Sequence, residues 1–394
     1  MSQKEGMFSF ANDKYVDVML KMAKERHNKN EIEEILADYS KLEQSKFIAL
    51  CKEHQFEGMS AAFLKKYTDA LTGEWIGIYE ECHRKASEKL EAAKQICQRM
   101  ADNGIDMIVL KNGGILADII DDPAKMPMGD IDTVIKRKDF LKAYDIMLAD
   151  GYKFEYSNEY EIPDINNAYR DGDAEYFKQI APDHMLCCEI AWRIVAGRWM
   201  RPDCEPNTEE NFSRMHYAKG TKIGILSPED NLLQVCIHTA KHSYLRAPGL
   251  RLNLDVERIV SNVEINWSLF LEKVKAAHTK TAAYYSLYIP SVLFDTPIPK
   301  NVLDELKPSK SKQKKIETAL EKAGFLYPKK RKFSRLEFLR FQTSLYDSLS
   351  DMFRTLYPNA EWLKRRYAFK SSALIPYYIC VRALDLVGIR KKQK

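Results

Sequence analysis

The eight cysteines, Cys51, Cys82, Cys97, Cys187, Cys188, Cys204, Cys236 and Cys380, include no C-x-x-C pair and follow no regular spacing. That absence argues against a stapled secreted scaffold and for free thiols in a reducing compartment, so a cytoplasmic protein is expected. The chain opens on the polar stretch MSQKEG rather than on a charged-then-apolar run, so no leader is expected. No uninterrupted spanning segment is present either. The best candidate, SALIPYYICVRALDLVG, is broken by Pro376, Arg382 and Asp385 and is too short to cross a bilayer, so it reads as a buried or interfacial helix. Charge of one sign is also lacking: 61 lysines and arginines stand against 56 acids, too small a surplus to imply a nucleic-acid or membrane partner by itself. Internal repeats and long low-complexity tracts are missing as well. What remains is an ordinary folded chain of 394 residues, 45% hydrophobic and 30% charged, long enough for two or three packed regions.

Periodicity divides it into three. Residues 1–104 read as a helical region, ending in KASEKLEAAKQICQRMADNG, where Leu90, Ala93, Cys97 and Met100 recur at helical steps before an Asn-Gly stop. Residues 105–225 read as an α/β core. There IDMIVL is a strand, KNGG a tight turn, ILADII a helix, GDIDTVIK a second strand and KDFLKAYDIMLADG a helix. YKFEY, AEYFKQIA and HMLCCEIAWRI are further strands, the last two a hairpin about Pro182-Asp183. Residues 226–394 turn helical again from LSPEDNLLQVCIHTAKHSYL, with Ser227 as N-cap, Pro228 in the first helical position and Asp230 at capping-box spacing. The expected class is α+β, a mixed sheet with helical regions on both sides.

Chemistry concentrates in GDIDTVIK. Side chains alternate along a strand, so Asp130 and Asp132 share a face, and two close carboxylates need a cation or water between them. Oxygen ligands of this kind suit Mg2+, which takes one or two carboxylates and completes its shell with water and phosphate oxygens. Upstream, Gly113 and Gly114 sit where backbone N–H groups at a helix start can hold phosphate. Downstream, Glu189 puts a third carboxylate into an otherwise apolar strand. The bland alternative is a solvated sheet edge beside an ordinary turn.

A glycine turn, an acid-x-acid strand and a third acid on a later strand, in that order, resemble the nucleotidyltransferase superfamily. More closely, IVLKNGGILADIIDDPAKMPMGDIDTVIKR, CCEIAWRI, LSPEDNLLQVCIHTAKH and RLNLDVERIV resemble the bacterial family of uncharacterised nucleotidyltransferases, over roughly residues 100–260. The resemblance implies a mixed-sheet core in which Asp130, Asp132 and Glu189 hold magnesium, as a two-metal site, and Gly113 and Gly114 lie near the phosphates of an NTP. It implies transfer of an NMP to an acceptor hydroxyl on a small molecule, glycan or protein. Lys111 and Lys125, the latter where relatives often carry arginine, would pair with phosphate; the plain alternative for both is a solvated surface charge. Two positions depart from the pattern: Gly114 stands where serine is common, and Ala191 where histidine often precedes the tryptophan. A non-catalytic nucleotide- or partner-binding protein and a phosphotransferase therefore remain alternatives.

Trp192 and Arg193, just after Glu189, are candidate cleft residues. His238 and His242 fall four apart on one helical face, but HTAKH lacks the glutamate of a zinc protease motif and no third ligand is evident, so they are read as cleft-lining or packing residues. Asp255 is a candidate hydrogen-bond partner for one of them. The basic stretches PKKRK, WLKRRY and RKKQK mix charge with aromatics, which suits a peripheral membrane contact. Nucleic acid is not expected, because no recognition module is visible.

Overall fold

The computed structural model describes residues 4–155, 164–195, 199–356 and 360–387. The apolar runs of the middle region become one mixed sheet of seven strands among the described residues: β1 (Met107–Val109), β2 (Ile131–Ile135), β3 (Lys153–Glu155), β4 (Asp173–Ala181), β5 (His184–Ala191), β6 (His216–Tyr217) and β7 (Gly224–Ile225), in the order β3-β4-β5-β2-β1-β7-β6. β1 runs antiparallel to β2, and β2 runs parallel to β5. β4 and β5 form the hairpin expected around Pro182-Asp183. Nineteen α-helices among the described residues accompany the sheet, so the class is α+β.

Burial explains the middle of the sheet. Ile131, Val134 and Ile135 of β2 and Cys188 and Ile190 of β5 have no exposed surface. Each such aliphatic side chain contributes roughly 1.5–3 kcal/mol by leaving water. On one side lies the long helix Glu74–Asp102, which buries Ala86, Lys89, Ala93, Cys97 and Met100 and stops at Asn103-Gly104, where Gly104 takes φ +74°. The buried cluster is continuous from Met7 to Leu345. The N-terminal helices grip the approach to β2: a Cβ at Gly58, in the Glu57–Tyr67 helix, would lie 2.0 Å from the carbonyl oxygen of Ala124, so only glycine allows that contact.

Several local expectations shift. The helix after β1 begins at Lys111, not at Ile115, so Gly113 and Gly114 lie inside its first turn and not in a loop before it. β2 starts at Ile131, leaving Asp130 on the lead-in to the strand. β5 ends at Ala191, so Trp192 and Arg193 fall in the bend beyond it. β6 and β7 are two residues each, too short to leave a periodic trace. The helix Pro228–Lys241 starts as expected with Ser227 at its N-cap and Pro228 first, but the Ser227 side chain accepts no first-turn N–H; its hydroxyl donates instead to the Asp230 carboxylate at 2.8 Å.

Candidate active site

Register brings the acids together. In the parallel β2–β5 pair Asp132 lies directly opposite Glu189, while Ile131 and Cys188 pair on the buried face. Two carboxylates that sequence places 57 residues apart therefore share one face, with Asp130 just ahead of them. The Thr133 hydroxyl donates to the Glu189 carbonyl at 2.8 Å and ties the strands beside the acids. Asp132 is 8% exposed, Glu189 half-buried, and Asp130 keeps an open side.

The electrostatics are those of a site short of positive charge. Burial, then the neighbouring Asp132 charge, pushes the Glu189 carboxyl up to about 7. The same two causes, in the same order, raise Asp130. Lys111 answers part of this imbalance: its Nζ lies 2.6 Å from Asp132 Oδ1. Burial alone would pull that ammonium down, but Asp132, Glu189 and Asp130 together hold it above its ordinary value.

Backbone geometry puts Lys111 there. The amide of Leu110 donates to the Asp132 carbonyl at 2.8 Å, extending the β1–β2 ladder to the acids. The chain then turns at Lys111, a non-glycine residue at φ +53°, and enters the Lys111–Asp118 helix. Leu110, its N-cap, has no side-chain acceptor, so no side chain caps the first-turn amides. The helix also lies close against β1: a Cβ on Gly114 would stand 2.4 Å from the Val109 carbonyl oxygen, and one on Gly113 2.7 Å from Val109 Cγ1. Close approach therefore requires both glycines. Serine, common in the superfamily at the place of Gly114, does not fit this backbone.

The loop leading to Asp130 is held by cations through its carbonyl oxygens. Arg258 donates to the Lys125 carbonyl at 2.6 Å and Arg251 to that of Pro127 at 3.1 Å. Lys89 reaches from the long helix to the Met128 carbonyl and, at 2.8 Å, to that of Gly129. None of the three was legible as a site residue, because each lies in an amphipathic or buried helix far along the chain.

A narrow cleft opens over Asp132 and Glu189, lined also by Lys111, Arg193, Gln234, His238 and Lys241. Lys241 stands three residues after His238 on the same helical face, inside the HTAKH stretch whose histidines draw the eye first. Burial, then the Lys111 charge, lowers its pKa, while Glu189, Asp173 and Asp132 oppose that. Burial likewise keeps His238 neutral, and His242, whose ring centre is 4.7 Å from that of His238, is lowered to about 4 by burial and then by Lys241. His238 lines the cleft; His242 packs against it at a 50° tilt from outside the lining. The Gln234 Oε1 is buried without a hydrogen-bond partner.

Other candidates sit elsewhere. Lys125 places its ammonium 2.7 Å from Glu25 in the N-terminal region. Asp255 accepts from Arg258 at 3.2 Å, an arginine in place of the expected histidine. Trp192 donates to the Tyr169 carbonyl at 2.7 Å and carries the Arg137 guanidinium over its ring at 4.4 Å, away from the lining. Arg193 does line the cleft, with its Nε 2.9 Å from Glu205.

Among the described residues, no three His, Cys, Asp or Glu side chains are gathered into a ready metal cluster. The donor chemistry nevertheless fits a hard divalent cation, since the acids are all carboxylates and Asp130 and Glu189 are raised by burial and then by the Asp132 charge. A family model described as an uncharacterised nucleotidyltransferase matches residues 40–295, well over half of the chain. No curated protein matches it.

Proposed function

The chain belongs to the family of uncharacterised nucleotidyltransferases, and from that premise we propose that it is a magnesium-dependent enzyme moving an NMP from an NTP to an acceptor hydroxyl. The observation that carries this reading is the Asp132–Glu189 register, with Asp130 ahead of it, facing Lys111 at the uncapped start of the Lys111–Asp118 helix. Asp130, Asp132 and Glu189 would hold the magnesium, which when bound would neutralise phosphate charge and polarise the phosphorus under attack. Lys111 then turns from Asp132 towards phosphate, and the first-turn amides of its helix receive phosphate oxygens. Lys241 and Arg193 add positive charge on the far wall of the cleft. Glu189 would support the metal that activates the acceptor hydroxyl. The acceptor is a small molecule, glycan or protein, met in the cytoplasm.

A second reading is favoured by one observation: the 2.6 Å Lys111–Asp132 pair already neutralises the central acid. On that reading the cleft binds nucleotide without turnover. Incubating the purified protein with Mg2+, each α-labelled NTP and cell extract separates the two. Label moving to an acceptor with wild type, and not with Asp132→Asn, supports the enzyme. Label that never leaves the NTP, while the nucleotide still raises the melting temperature, supports the second reading.

A further inference from the structure

The helix Ile375–Val387 is amphipathic the wrong way round. Its exposed residues Pro376, Tyr377, Cys380 and Leu384 are all apolar, Tyr377 at 60% and Leu384 at 43% exposure. Steps of three and four residues put Tyr377, Cys380 and Leu384 on one helical face, and Leu374 in the preceding turn is exposed too. The two charged residues of the helix have partners within the protein: the Arg382 guanidinium lies 5.3 Å from the centre of the Trp362 ring, and Asp385 accepts from the Tyr367 hydroxyl at 2.6 Å. A stripe of this kind in water calls for a partner.

Charge segregates along the sequence at this end. Residues 360–394 hold nine lysines and arginines against Glu361 and Asp385, a surplus of seven; since the whole chain carries +5, the preceding residues total −2. Lys364, Arg365, Arg366 and Lys370 flank the helix in the described residues. The following GIRKKQK stretch, with four more positive charges, lies outside them.

We infer that this helix and its basic surroundings dock the protein on an anionic lipid bilayer, the apolar stripe entering the boundary between headgroups and acyl chains and the cations lying over the headgroups. The inference does not depend on the chemistry of the cleft. A second copy of the chain is the poorer occupant, because pairing two such faces brings two strongly positive segments together. Single-stranded nucleic acid would use the cations and Tyr377, but Leu374, Pro376 and Leu384 offer it neither a donor nor a stacking ring. Among the described residues no helix is long and apolar enough to cross a membrane, so the contact is peripheral.

Co-sedimentation of the full chain with vesicles of phosphatidylcholine alone, and with about a third phosphatidylglycerol, tests it. Binding is expected to the mixed vesicles only and to weaken as salt rises. In Tyr377→Asp and Leu384→Asp it should fall about tenfold or more with unchanged melting temperatures. Any of four results overturns the inference: no binding by wild type, equal binding by both variants, retention of single-stranded RNA in place of vesicles, or a dimer that Leu384→Asp dissociates.

Discussion

Two clusters of buried charge sit on either side of the loop that leads into β2, and they are resolved in opposite ways. Behind the loop, Arg258 has no exposed surface; it meets Asp255 at 3.2 Å and Glu25 at 3.8 Å, and Glu25 in turn meets Lys125 at 2.7 Å. In front, Asp130, Asp132 and Glu189 face Lys111. Burial raises the carboxyl pKa in both places, but the next influence differs in sign. At Asp255 it is the Arg258 charge, which pulls the pKa back down. At Asp130 and Glu189 it is another carboxylate, which pushes it further up. The rear cluster is matched and reads as architecture. The front one keeps an excess of negative charge, the imbalance on which the proposed metal–nucleotide site rests.

Breaking the matched cluster should have the largest effect. Arg258→Ala leaves Asp255 buried without its partner and removes the bond to the Lys125 carbonyl, so it should cost about 3–5 kcal/mol in denaturant unfolding. A loss under about 1 kcal/mol would mean that the rear cluster is not the structural one.

The contrast was only partly legible in the sequence. β1, β2 and β5 were, because short apolar runs between turn residues have few other readings, and an isolated Glu189 in such a run is conspicuous. The Gly-Gly pair was misplaced because glycine signals a turn and a close helix–strand approach equally well; the 2.4 Å separation at Gly114 decides for the second. Lys89, Arg251 and Arg258 carried no local signal, since what matters is the carbonyl each reaches across the fold. Lys241 had one, its three-residue spacing from His238.

Acidity sharpens the comparison next. With a folded pKa of about 7 against an ordinary value near 4.5, Glu189 binds its proton more tightly when folded. Its contribution to apo stability is present in full below the ordinary value and lost as pH rises through 7. Metal binding needs the carboxylate, so Mg–NTP affinity should run the other way, falling about tenfold per pH unit below 7. Titration calorimetry across that range checks this, and Glu189→Gln should flatten the dependence.

A smaller effect is expected where the two clusters meet. Lys89→Met frees the Met128 and Gly129 carbonyls just before Asp130, at a stability cost of about 1 kcal/mol. Because the loop positions Asp130, the Mg–NTP response should weaken by more than this loss. An unchanged nucleotide response would make Lys89 a packing residue only.

The most direct measurement is thermal melting of wild type and Asp130→Asn, with and without Mg–NTP. Removing one of the crowded charges at a partly open position should leave the apo protein as stable or more so, by up to about 1 kcal/mol after solvent screening. The nucleotide-induced rise in melting temperature seen in wild type should largely disappear. The same rise in both proteins, or none in either, would contradict the assignment of these acids to a metal–nucleotide site and return them to a solvated edge of the sheet.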